Sequence, residues 1–149
     1  MDHTQVPADQ SAFPLLVEVA DVGLSGHAQP DGDDFLFTAA DGLTQLSHEI
    51  ESYDSATGQL LAWVNVPLLS SSVDTVLYLY YGNALAESQA DPAGVWDSGY
   101  LAVHHLEETA GLVTDSTANG NDGQLSSGDF WLRPSTAAII DDDATTGTG

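Results

Sequence analysis

Short apolar runs, cut about every eight to twelve residues by clusters of Gly, Pro, Asp and Ser, constrain this chain more than any other feature. Interruptions that frequent leave no room for long helices, and helical periodicity is almost absent. The pattern predicts an all-β fold, an antiparallel β-sandwich of jelly-roll-like type. The expected strands are Pro14 to Ala20, Asp34 to Thr38, Leu46 to Tyr53, Leu60 to Val66, Val73 to Tyr81 and Tyr100 to Glu107, with a weaker one at Gly123 to Ser126. Asp31-Gly32, Asp41-Gly42 and Thr57-Gly58 supply turn residues that tolerate positive φ. Asn83 to Gln89 allows one helical turn, which Pro92 stops. In Val76 to Tyr81 both alternating sets are apolar, which predicts a central strand covered on both faces, with Trp63, Tyr78 and Tyr80 in the core. The Glu49, Glu51 and Tyr53 set predicts a strand with one wet face.

With 149 residues, 42% of them hydrophobic, the chain can bury the core of one domain of about 100 to 130 residues. Against 23 acidic residues stands a single basic one, Arg133, for a formal charge of -22. A surface this negative repels phosphate backbones and anionic lipid heads, so neither nucleic acid nor a membrane surface is expected as a partner. Crowded carboxylates destabilise a compact state unless salt screens them or cations neutralise them. Both solubility in a saline setting and ion binding fit this composition, and 17 of the acids are Asp, the short side chain that loops use to surround hard ions. There is no cysteine, hence no disulfide and no thiolate metal site. No apolar run approaches the roughly 18 residues of a membrane span, and Met1-Asp2-His3 lacks the basic start of a signal peptide. An exported parent would make this chain a mature or excised piece.

Two oxygen-rich loops are candidate calcium sites. Asp31, Asp33, Asp34 and Asp41 surround a pair of Gly turns, and Asp115, Asn119, Asn121 and Asp122 form a second cluster. The alternative for each is an Asx-rich turn whose side chains bond their own backbone. His104 and His105 are neighbours on an expected strand and so point to opposite faces, while His3, His27 and His48 lie in separate segments without zinc-ligand spacing. Glu107-Glu108, and Glu49 with Glu51, are the obvious carboxylate pairs. The latter would stand about 7 Å apart on one face, but sequence neighbours seldom flank a bond, and a solvated strand face is expected. No nucleophile elbow or phosphate-binding loop is present, and with Lys and Arg nearly absent the usual oxyanion and phosphate clamps are missing; the chain is not expected to be an enzyme. Tyr53, Trp96 and Trp131 lie near turns or ends and are candidate ligand-binding aromatics, with Trp96 also suited to plugging the end of the fold.

Several segments in order resemble a module of secreted proteins, the domain-of-unknown-function family 2341. They are Asp2 to Val6 followed by Phe13 to Val17, then Asp31 to Thr38 with Asp41-Gly42, Glu49 to Asp54, Ala62 to Pro67, Leu77 to Asn83 and Asp91 to Asp97. From Tyr100 the pattern changes: Leu101 to Glu108 followed by Asp115 to Leu125 resembles the opening of a laminin-G-like, concanavalin-A-like lectin domain, with His104 where such domains usually carry Trp. The resemblance implies a β-sandwich module over residues 1–99 and truncated lectin-like strands over 100–126, packed on the sandwich or swapped into it; composition predicts a largely disordered tail over 127–149. The resemblance also implies one vacant strand position, because relatives begin with a further strand. Residues 101–106 would suit that slot within one chain or between two in a homodimer. The implied function is a non-catalytic, structural or adhesive module of a secreted or cell-surface protein, for which the acidic loops make Ca2+ the expected stabilising ion. The alternatives are a carbohydrate-binding module and an excised fragment that oligomerises by strand exchange.

Overall fold

A computed structural model describes residues 1–108 and 111–124. Trp131 and the 127–149 tail lie outside the described residues. The fold is all-β with antiparallel sheets, as the spacing of apolar runs predicts. One sheet joins β1 (Gln10–Ala20), β5 (Gln59–Leu69) and β4 (His48–Asp54) in the order β1-β5-β4; a second joins β3 (Gln45–Leu46), β2 (Leu36–Thr38) and β6 (Tyr78–Tyr80) in the order β3-β2-β6. Two short helices, α1 (Val22–His27) and α2 (Pro92–Val95), start on Asp21 and Asp91, whose side chains accept from the N–H groups of Gly23 and Gly94. A two-residue ladder pairs β7 (Leu112–Val113) with β8 (Gly123–Gln124). No helix among the described residues is long and apolar enough to cross a membrane.

Strand β5 organises the rest. Leu60, Ala62, Val64 and Val66 alternate onto one face and are all buried. Leu60, Ala62 and Val64 meet Phe37 and Leu46 of the second sheet together with Phe35 and Leu24, so the two sheets share one core. Burying a residue the size of Phe35 or Phe37 contributes about 2–3 kcal/mol. A second cluster of Val6, Val66 and Leu69, with Phe13, Leu15 and Leu77 against it, continues the core toward the chain start. The β4–β5 hairpin turns where Thr57-Gly58 predicts it: the Gly58 N–H donates to the Asp54 carbonyl at 2.8 Å, and Gly58 has φ of +73°. A Cβ there would also collide with the Asp21 carbonyl, so both backbone sign and space demand glycine.

Two expected strands differ from the reading of the sequence. Instead of a central strand over Val73 to Tyr81, β6 covers three residues and pairs with β2 alone. Leu77 and Leu79 point to the core, whereas Tyr78 and Tyr80 point outward, each 47% exposed. Apolar residues on both sets mislead here because the strand lies at a sheet edge whose outer face nothing among the described residues covers. Over Tyr100 to Glu107 there is no strand at all, and Leu106 in the left-handed region (φ +57°) breaks the extended backbone. Trp63 is likewise not in the shared core; it is half-buried on the opposite face of its sheet.

Candidate functional site on the outer face of β4

Alternation along β4 divides its side chains between two environments. His48 lies opposite Val64 and Ile50 opposite Ala62, facing the core, while Glu49 lies opposite Trp63 on the outer face. Glu51 shares that outer face by alternation, and a bulge between Ile50 and Ser52 inserts one extra residue so that Ser52 rather than Glu51 stands opposite Leu61. Two acidic side chains thus meet an indole on a surface that composition alone marks as wet.

The chain after α2 folds back over this surface and buries it. Trp96 packs tilted against Trp63 at 5.3 Å and edge-on to Tyr100 at 5.2 Å, and its indole N–H donates to Glu49 Oε2 at 2.9 Å. The Trp63 indole N–H donates to Glu51 Oε2 at 2.6 Å. Between the carboxylates lies the His105 ring, with Nδ1 2.8 Å from Glu51 Oε2 and Nε2 3.2 Å from Glu49 Oε2. The Nε2 contact has ion-pair distance without hydrogen-bond alignment. Ser116 closes the far side, its hydroxyl donating to Glu49 Oε1 at 2.5 Å. Glu49 is only 8% exposed, which overturns the expectation of a solvated strand face.

The electrostatics follow from these partners. The ion-pair contact to Glu49, against the opposing cost of burial and with help from the charges of Glu51 and Glu107, raises His105 above the ordinary histidine value. Burial pushes Glu49 upward, yet the bonds from His105, Ser116 and Trp96 outweigh it and leave the carboxyl below its ordinary value. An imidazolium with one nitrogen turned toward each carboxylate pairs its charge with two acids at once. A cavity of about 180 Å³ remains beside it, lined by Glu49, Glu51, His105, Glu107, Glu108 and Ser116. Glu108 Oε1 accepts from the Thr114 N–H at 2.9 Å, and its Oε2 is buried without a hydrogen-bond partner.

The oxygen-rich loops chosen from the sequence are occupied by their own backbone. Asp34, buried, accepts from the N–H groups of Gln29, Gly82 and Asn83, and Asp31 accepts from Asp33. Asp41 accepts from the Thr44 hydroxyl, Thr44 N–H and Leu43 N–H, which lower its carboxyl to about 2. Asp115 accepts from the N–H groups of Val103, Thr117 and Asn121 and from the Thr117 hydroxyl; despite desolvation these hold it well below the carboxylate range. Asp122 caps the Asp115 N–H, while Asn119 and Asn121 donate to the carbonyls of Tyr100 and Leu101. Tyr53 stands edge-on to Phe35 at 4.8 Å and donates its hydroxyl to the Leu24 carbonyl. Among the described residues, Asp31, Asp33, Asp34 and Asp41 do not bring ligand atoms from three of their number within 4.8 Å of one another.

Sequence reasoning missed the bridge itself. His105 lies 56 residues from Glu49 (105 minus 49), and nothing local to either announces the other. The available signal was Trp63 directly across from Glu49, an indole N–H that needs an acceptor when its face is covered.

No curated protein and no solved structure matches the chain. One family pattern matches residues 31–133, described as Domain of unknown function (DUF2341). The match takes in Glu49, Trp63, Trp96, His105 and Ser116, and runs through the whole stretch in which the lectin-like start was expected. With that match spanning more than half of its length, the chain belongs to the DUF2341 family.

Proposed function

We propose that the chain is a non-catalytic, structural or adhesive module of a secreted or cell-surface protein, and that the Glu49–His105–Glu51 bridge is the clasp fastening residues 100–124 to the sheet. The observation that carries this reading is the mutual engagement of the converging groups: two carboxylates, one imidazole, two indole N–H groups and one hydroxyl each bind another member of the set. A catalytic pair would aim at least one such group at a substrate. Residues held for catalysis commonly destabilise the fold, so neutralising them raises stability, whereas removing one side of a buried ion pair lowers it. Thermal melting of Glu49→Gln and His105→Gln decides between the two. The clasp predicts a lower Tm and faster proteolysis within 100–124; a higher Tm for both variants would overturn it.

Carbohydrate binding is a second reading, favoured by Tyr78 and Tyr80. They alternate onto one outward face of β6, each 47% exposed and about 7 Å apart by backbone repeat, and so offer two neighbouring aromatic rings to the apolar face of a sugar. Glycan-array binding that disappears in Tyr78→Ala with Tyr80→Ala supports it; an array without a hit removes it.

A further inference from the structure

We propose that Asp2, His3 and Asp74 form a binding site for one divalent transition-metal ion, with zinc the best-matched chemistry. Among the described residues, one ligand atom from each of these three lies within 4.8 Å of the others. His3 Nδ1 shares a 2.6 Å hydrogen bond with Asp74 Oδ1, which an incoming ion would displace, and stands 4.0 Å from Asp2 Oδ1. Residues 71 positions apart are brought together by a short seam in which the Met1 amine donates to the Thr75 carbonyl at 2.7 Å and the Thr75 N–H returns a bond to the Met1 carbonyl at 3.0 Å.

The surrounding bonds orient the ligands in advance. Asp2 caps the 3-10 turn His3–Gln5, its Oδ1 accepting from the Thr4 N–H at 2.8 Å and the Thr4 hydroxyl at 2.7 Å. Asp74 Oδ1 accepts from the His3 backbone N–H at 3.0 Å. Each carboxylate keeps its Oδ2 outside these bonds, and outer-shell donors of this kind fix the direction of metal-ligating oxygens. The three side chains remain open, 38% exposed for His3 and 62% and 64% for Asp2 and Asp74, which gives an ion an entry path and leaves positions for water. No described residue is Lys or Arg, so no side-chain cation other than histidine competes for these oxygens.

One imidazole nitrogen with two carboxylate oxygens selects borderline ions such as Zn2+ or Co2+ over Ca2+, which takes six to eight oxygens and has little use for nitrogen. Bound there, the ion would cross-link the chain start to the β5–β6 connection, beside Val6 in the second core cluster.

The test is melting and Co2+ absorption of the full chain with Zn2+, Ca2+ or Na+ at matched ionic strength. The site predicts one Zn2+ per chain, a Tm rise of about 5 °C at saturating metal, and a visible Co2+ band. His3→Gln abolishes both signals, Asp2→Asn, which still caps the turn, weakens binding about tenfold, and the remote His27→Gln leaves both intact. A zinc shift that survives His3→Gln, or Ca2+ matching Zn2+ in effect, would overturn the assignment.

Discussion

The two faces of β4 solve burial in opposite ways. On the inner face His48 is fully enclosed beside Phe37, and neither ring nitrogen has a hydrogen-bond partner. Burial pushes this ring below the ordinary histidine value, with the Leu46 backbone and the Asp91 charge acting the other way. On the outer face His105 is held between two carboxylates and shifted upward. One strand therefore needs a neutral histidine inside and a charged one outside. The inner face is stabilised by apolar area, which is indifferent to protons, and the outer face by ion pairing, which is not.

Substitutions on each face should separate these contributions. Phe37→Ala, inside, should be the most damaging, at about 4 kcal/mol by chemical denaturation, with nearly the same loss at pH 6 and pH 9. Glu49→Ala, outside, should cost about 3 kcal/mol near pH 6, because it leaves a charged, largely buried His105 with only one of its two carboxylate partners and leaves the Trp96 N–H without its acceptor, and less at pH 9. Equal pH dependence for the two variants would erase the distinction.

Proton linkage sharpens it further. His48, depressed in the fold, binds protons better when unfolded, so its contribution is lost as pH falls below about 6.5. Glu49, also depressed, adds to that acid limb below about 4.5, its ordinary value. His105, raised, contributes fully below about 6.5 and loses its contribution as pH climbs through the folded value. Stability should therefore peak near pH 6.5. His48→Leu should flatten the upper acid limb and change stability by no more than about 1 kcal/mol at neutral pH, because apolar replacement removes two unsatisfied nitrogens. Melting temperature against pH for the parent and this variant checks both signs. The smallest effect belongs to Asp41→Asn, in an exposed turn remote from both faces, which should lower Tm slightly at pH above about 4, the unfolded carboxylate value, with the difference fading as pH falls toward the folded value of about 2.

Much of the inner face could be read from residue order, because period-two alternation over Leu60 to Val66 and the Thr57-Gly58 turn are local signals. Strand ends came out shifted: β1 begins at Gln10 rather than Pro14, and the run from Leu46 to Tyr53 divides into β3 and β4. The outer face was illegible for a different reason. Glu49 and Glu51 have the composition of a wet surface, and only the return of Trp96, His105 and Ser116 across the sheet buries them. Edge position is equally non-local, so apolar residues on both sides of Val76 to Tyr81 could not separate a central strand from an exposed one.

The claim that a charged His105 fastens residues 100–124 to β4 is tested most directly by a double-mutant cycle of unfolding free energies over the parent, Glu49→Gln, His105→Gln and the double variant, at pH 6 and pH 9. The clasp predicts a coupling of about 1–2 kcal/mol at pH 6 that shrinks at pH 9. Additive effects at pH 6, or a coupling unchanged between the two, would contradict it.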